Sequence, residues 1–114
     1  MEPNLQRELV ERFDFYEKGF VFECGSGWYD LIWNLSEELE EELKKYRSRF
    51  QVVQVKEKFG GLRFYGGPLV GNVRKIIDRA EEESEKICEL CGQPGRLIRR
   101  NWVMVRCEDC EYPE

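Results

Sequence analysis

Histidine is missing from this 114-residue chain. Its absence removes imidazole acid–base chemistry near neutral pH, every Cys/His or Ser/His nucleophile pair, and every histidine-containing metal site. Long apolar runs are missing as well. The stretch from Met1 to Phe13 is broken by Glu2, Arg7, Glu8, Glu11 and Arg12, so neither a signal peptide nor a membrane span is read there, and a cytoplasmic protein is expected. Cations are in the minority, 18 against 23 acidic residues for a net charge of -5. A bulk electrostatic grip on duplex DNA or anionic lipid is therefore not favoured, although a local basic patch stays open. Repeats, low-complexity tracts and linkers are also lacking. One domain over 1–114 follows, with a body over 1–87 and an integrated cysteine segment over 88–110.

What is present is enough for a core: 41% hydrophobic and 13% aromatic residues. Asn4 is placed to cap a short helix through Leu5, Leu9 and Phe13, and an aromatic, irregular stretch runs from Phe15 to Cys24. Trp28, Leu31, Ile32, Leu35, Leu39, Leu43 and Tyr46 recur at steps of three and four, predicting a helix from Ser26, its cap, to about Tyr46. Glu40 with Lys44 and Glu41 with Lys45 are spaced to pair across one helix turn, and Glu37 to Glu42 reads as a solvated face. A third helix is predicted from about Leu69 to Ile87 on the stripe Val70, Val73, Ile76, Ile77, Ala80 and Ile87.

Between these helices, the Val-rich run Phe50 to Lys58 and the run Arg63 to Tyr65 flank Phe59-Gly60-Gly61-Leu62. A Gly-Gly turn between β-prone runs predicts a hairpin in which Phe59 pairs with Leu62. Strand alternation then puts Val53, Val55, Phe59, Leu62 and Phe64 on a core face, with Glu57 as the misfit. Gln54, Lys56, Lys58, Arg63 and Tyr65 share the other face. Three cations, an aromatic ring and an amide at one place suit a phosphate-bearing ligand; a solvated hairpin face countered by the acidic helices is the plainer alternative. Gly60-Gly61 either serves the turn alone or lets a ligand approach the backbone.

The C-terminal segment carries Cys88-Glu89-Leu90-Cys91 and Cys107-Glu108-Asp109-Cys110, two C-x2-C pairs separated by fifteen residues. Each pair sets two thiolates on one side of a tight knuckle. Two knuckles joined by a hairpin, here Arg96 to Ile98 and Val103 to Arg106, complete the tetrahedron that structural Zn²⁺ accepts. An iron centre and a pair of disulfides are the other readings. Cys24 stands outside the pattern and reads as a small buried residue. Trp28 is in phase with the helix stripe, while Trp33 is out of phase and free to cover a partner surface. Arg96, Arg99, Arg100, Arg106 and Trp102 form a basic, aromatic ribbon near Glu108, Asp109, Glu111 and Glu114.

The stretches Phe22 to Ile32, Gln54-Val55-Lys56-Glu57-Lys58-Phe59-Gly60-Gly61-Leu62-Arg63-Phe64-Tyr65 and Cys88-Glu89-Leu90-Cys91-Gly92 together resemble a family of small, uncharacterised phage and prophage proteins over roughly residues 22 to 110. Members often end the second knuckle in His where Cys110 stands here. The resemblance implies a viral accessory protein acting in a host cytoplasm, with counter-defence a common role, and carries no activity over. The expected fold is α+β: helices on a small antiparallel hairpin with a four-cysteine zinc ribbon. With no nucleophile–base pair, open metal or phosphate loop in the sequence, the expected function is non-enzymatic. It is the sequestration of a phosphate-containing small molecule or nucleotide, with Lys56, Lys58 and Arg63 on phosphates and Tyr65 stacking, and with a homo-oligomer supplying enclosing walls. The alternative is a zinc-ribbon module that contacts a host protein or nucleic acid through Trp102 and its arginines.

Overall fold

The computed structural model describes residues 1–111, so Glu114 lies outside the described residues. In chain order the elements are α1 (Pro3–Arg12), β1 (Phe22–Glu23), a 3-10 turn (Ser26–Trp28) that runs into α2 (Tyr29–Leu43), β2 (Gln51–Lys58), β3 (Gly61–Gly67), α3 (Val73–Ser84), β4 (Arg96–Arg99), β5 (Val103–Arg106) and a 3-10 turn (Glu108–Cys110). The class is α+β. β2 and β3 form the antiparallel hairpin, β1 adds to β2 in parallel, and β4–β5 is a separate antiparallel ribbon. No helix of the described residues is long and apolar enough to cross a membrane.

The helical stripes meet the inner face of the hairpin in one core that contains Trp28, Ile32, Leu35 and Leu39 of the second helical segment, Val73, Ile77 and Ala80 of α3, and Val55, Leu62 and Phe64 of the sheet. Trp28 is fully buried, as its phase requires. Trp33, expected to be free for a partner, instead meets Phe13 edge-on at 5.2 Å. Ser36 is buried without penalty because Tyr16 Oη lies 2.6 Å from its hydroxyl, which also donates to the Ile32 carbonyl.

Helix ends differ from the sequence reading for local reasons. Neither Asn4 nor Ser26 caps a helix. Pro3 opens α1, where its missing N–H costs nothing, and the Ser26 hydroxyl accepts the Glu2 N–H. α2 stops at Leu43 because the next amides, Lys45 and Tyr46, bond three residues back rather than four. The acids of α2 also pair differently. Glu40 takes Arg12 of α1 in a two-pronged bond at 2.9 and 3.0 Å, and Lys44 and Lys45 turn to Glu41 and Glu42. Glu42 is not on a solvated face at all: it is buried, and its carboxylate accepts the Asn72 N–H at the start of α3.

Both edges of the three-stranded sheet are closed by side chains. On the β1 side Gln6 Oε1 accepts the Phe22 N–H; on the β3 side Ser84 Oγ and Glu81 Oε2 accept the Leu62 and Phe64 N–H groups. Strand-edge amides that could recruit another chain are thereby satisfied from α1 and α3.

The hairpin register is shifted by two residues from the expected one. Lys58 pairs with Gly61, Glu57 with Leu62, Lys56 with Arg63 and Gln54 with Tyr65, so the two-residue turn is Phe59-Gly60. Both have positive φ, 52° and 86°, as a type I′ turn requires. The Glu57 carboxylate accepts the Gly60 N–H at 2.7 Å, which explains the apparent misfit on the core face. A shift of two preserves the faces, but it moves Phe59 from the core to the tip, where it is 71% exposed. Val53 also leaves the core face, at 73% exposed, because a bulge between Val52 and Gln54 puts Val52 inward in its place.

Two measurements check this arrangement. Phe64→Ala should lower stability by about 3 to 5 kcal/mol, whereas Phe59→Asn should leave it unchanged or raise it by up to about 1 kcal/mol, since Asn tolerates positive φ. Urea titrations of both variants report the difference. The Asn72 N–H, followed by Lys45, holds the Glu42 carboxyl below its ordinary range. A carboxylate lowered in the folded state contributes stability above its unfolded pKa and loses it as pH falls through the folded one. Glu42→Gln should therefore be less stable at pH 7 and show a flatter decline below about pH 4.5.

Candidate metal centre and the outer face of the hairpin

Glu85, Lys86 and Ile87 leave α3 in tight turns, each N–H bonding three residues back. The Cys88 carbonyl accepts the Gly92 N–H and the Cys88 N–H donates to the Gln93 carbonyl, which folds residues 88–93 into a knuckle. The second knuckle is built by the 3-10 turn, with the Cys110 N–H on the Cys107 carbonyl. The β4–β5 ribbon between them brings the two together. The Sγ atoms of Cys88, Cys91, Cys107 and Cys110 all lie within 4.8 Å of one another, the Cys91–Cys107 pair at 3.5 Å. A tetrahedral ion with bonds of ~2.3 Å to sulfur needs edges of about 3.8 Å, so the donor set fits a metal ion.

The electrostatics agree. Burial raises the Cys88 thiol, but the N–H groups of Cys107, Cys91 and Leu90 outweigh it and bring the group down to about 7. Cys110, facing the Cys107 and Cys91 sulfurs, is pushed up to about 12. Four sulfurs this close cannot all ionise alone, and a dication removes that repulsion. Four thiolates also fill the coordination shell and leave no position for a substrate or a reactive water. Cys24 is apart from this centre; burial first, then the Glu89 charge, raises it to about 12.

The first knuckle is seated on the body through residues that sequence reasoning does not single out. Glu89 binds in four directions: its carbonyl accepts the Gly27 N–H at 2.7 Å, its Oε2 the Gly25 N–H at 2.8 Å, its Oε1 the Arg106 guanidinium at 3.5 Å, and its own N–H donates to the Val105 carbonyl. Trp28 Nε1 donates to the Ile87 carbonyl at 2.9 Å. A Cβ on Gly27 would lie 2.6 Å from the Glu89 carbonyl oxygen, and one on Gly25 would meet the same carbonyl. The signal available in the sequence is Gly25-Ser26-Gly27 directly before a core tryptophan: two residues without side chains where another backbone passes.

The five side chains expected to hold a ligand share the outer face of the hairpin. Lys56 is directly across from Arg63 and Gln54 across from Tyr65, with Lys58 toward the tip. Glu23 of β1 is the neighbour of Lys56 on its other side, and its carboxylate takes the Gln54 amide at 3.3 Å. Arg63 donates to the Leu62 carbonyl, and Glu85 lies close by, over Gly61. Gly60 is not open to a ligand: a Cβ there would meet Leu97 Cδ1 at 2.7 Å and Val103 Cγ1 at 2.9 Å. In the ribbon, Arg96 and Arg100 both reach Glu111 at 2.9 Å, while Trp102 is 66% exposed.

Comparison with known proteins finds no matching family model, no matching curated protein and no matching solved structure.

Because the knuckle is bound to the body through backbone groups, loss of the metal should be felt beyond the cysteines. Chelation or Cys88→Ser should lower the melting temperature of the whole chain. Gly27→Ala, which leaves every thiolate in place, should weaken the fold while the chain still takes up metal. Circular dichroism melts with parallel metal analysis check both; a Cys88→Ser protein melting like the parent would show that the knuckle is only an appendage.

Proposed function

We propose that this protein is a non-catalytic binding protein in which a structural zinc ion fixes the C-terminal ribbon and the outer face of the β2–β3 hairpin receives a phosphate-bearing ligand. The observation that supports the ligand site is the direct pairing of Lys56 with Arg63 and of Gln54 with Tyr65 on one solvent-facing side of the sheet. Charge-assisted bonds from the cations would hold phosphate oxygens, and Tyr65 would stack or hydrogen-bond. The helical side offers a poorer place. A cavity of 460 Å³ between α2 and α3 is rimmed by Asp30, Glu37, Glu38 and Glu83, and its Arg79 is already bound to Glu38.

Zinc is the metal that best suits four thiolates in a closed tetrahedron without histidine. Binding without turnover fits the resemblance to phage and prophage proteins, where withdrawal of a nucleotide signal from a host cytoplasm would be the use of such a protein. The sheet face is open, so a small nucleotide would need a second wall, which another copy of the chain could supply.

Purified protein should contain one equivalent of zinc, and less than about half an equivalent of any metal, from cells supplied with zinc, would overturn that assignment. In a thermal-shift screen of nucleoside triphosphates, cyclic oligonucleotides and ADP-ribose-type molecules, a ligand of the native state should raise the melting temperature. Lys56→Ala and Arg63→Ala should each weaken that ligand by about one to two powers of ten. If both variants bind every responding ligand as the parent does, the outer face is solvated surface only.

A further inference from the structure

We propose that the phosphate-bearing ligand is a single-stranded nucleic acid, and that Phe59 and Trp102 form its stacking platform where the hairpin tip meets the cysteine ribbon. This rests on the reading of the outer sheet face as a phosphate site and adds to it both the ligand class and two residues outside that face.

The junction is defined by Gly60, whose position leaves no room for a side chain against Leu97 and Val103. Phe59 precedes Gly60 and Trp102 precedes Val103, so with consecutive Cα atoms ~3.8 Å apart the two aromatic residues have Cα atoms within about 15 Å of each other. The two residues are 71% and 66% exposed. One exposed aromatic is ordinary on a protein surface; two at one junction offer successive bases more than one stacking face. Phe59 adds a further point. It holds φ at 52° in a turn position that Asn, Asp or Gly occupies without strain, and its ring has the Lys58 ammonium 5.6 Å from its centre instead of a place in the core. The backbone cost is thus not returned by packing.

The charges around the platform favour a polyanion with unpaired bases. Lys58 stands beside Phe59, and Arg99, opposite Val103 in the ribbon, stands near Trp102. Behind Lys58 the strip continues to Lys56 and Arg63. Of the acids in the region, Glu57 is held on the turn amide, Glu111 on Arg96 and Arg100, Glu89 on Gly25 and Arg106, and Glu23 on the Gln54 amide, while Glu85 stands next to Arg63 at Gly61 and Glu108 and Asp109 follow β5 at the end of the ribbon away from Trp102. Cations that track a backbone, interleaved with rings that take bases face-on, are what a single strand requires. An open surface also suits an extended strand without the second wall that a small nucleotide needs. In a duplex the bases are stacked on one another and inaccessible, and the net charge of -5 opposes its higher charge density.

The test uses the metal-loaded full chain and a fluorescein-labelled oligothymidylate of about twelve nucleotides, a length in the range that single-strand modules cover. Anisotropy should show binding, with a log–log salt slope of about -2 for three phosphate contacts. A duplex of equal length should bind at least tenfold more weakly. Phe59→Ala and Trp102→Ala should each weaken the oligothymidylate about tenfold or more without changing zinc content or melting temperature. If the strand binds and loses affinity in Lys56→Ala and Arg63→Ala but not in the aromatic variants, the platform is overturned and the sheet-face reading stands. The platform falls in the same way if a mononucleotide or cyclic dinucleotide binds through Lys56 and Arg63 while the strand does not bind. If no phosphate compound binds, both fall. Capture of a polypeptide that depends on Phe59 and Trp102 and is not displaced by oligothymidylate would overturn the nucleic-acid assignment in favour of a protein partner.

Discussion

The Glu89 peptide and side chain are the point at which the two halves of the molecule constrain each other. Its N–H and carbonyl join the β5 strand to the Gly25–Gly27 loop, and its carboxylate spans Gly25 and Arg106. Glu89 lies between two of the four clustered cysteines, so an ion that fixes Cys88 and Cys91 also fixes the direction of every one of these bonds. A free hydrogen bond of this kind contributes ~1 kcal/mol net. Four converging on one residue whose backbone an ion on Cys88 and Cys91 would clamp would act as a unit, because little conformational entropy would be left to lose when they form. The influence of such an ion would reach Trp28, whose indole N–H meets the neighbouring Ile87 carbonyl, and through Trp28 the start of α2 and the core.

The same logic of side chains serving backbone groups governs the small sheet. Three short strands cannot protect their own edges, and a β1 of two residues offers almost no ladder. Gln6 on one side and Ser84 with Glu81 on the other supply the missing acceptors. Glu81 bears a cost for this. Burial raises its carboxyl, only partly offset by the Phe64 N–H and the Arg63 charge. Such a group is tolerated because the alternative, an unpaired strand N–H beneath a helix, is costlier. With both edges closed, the outer face is the side of the sheet left for solvent or a ligand.

How much of this is legible in the sequence follows from the range of the interaction that decides each feature. The stripe through Trp28, Leu35 and Leu39 and the two Cys-x-x-Cys pairs are set by neighbours a few residues apart, and both appear in the structure where periodicity and spacing place them. The division of the hairpin into an inner face with Val55, Leu62 and Phe64 and an outer face with Lys56 and Arg63 is legible too, because a shift of two residues does not change parity. The turn itself is not. Two adjacent glycines leave the choice between Phe59-Gly60 and Gly60-Gly61 open locally, and the choice is consistent with Gly60 having to lie against Leu97 and Val103, residues far along the chain. The burial of Glu42 and the role of Glu89 are hidden for the same reason: each answers a distant backbone group, the Asn72 N–H in one case and the Gly25 and Gly27 N–H groups in the other.

Net acidity and a cationic outer face of the hairpin are compatible because charge acts locally in salt. The screening length at physiological ionic strength is ~8 Å, whereas the molecule measures 47 by 27 by 20 Å. On α2, Glu38, Glu40, Glu41 and Glu42 are balanced close to home, by Arg79, Arg12, Lys44, and Lys45 with the Asn72 amide. What a ligand at the hairpin would sense is mainly Lys56, Lys58 and Arg63, moderated by Glu23 and Glu85. Such a surface draws a polyanion only at short range and gives little long-range steering, so selectivity has to come from contact geometry. Exposed rings at the junction would supply that geometry where charge alone could not, so on the proposed reading the position of Phe59, awkward for the backbone and useless to the core, would matter more for binding than the sign of the net charge.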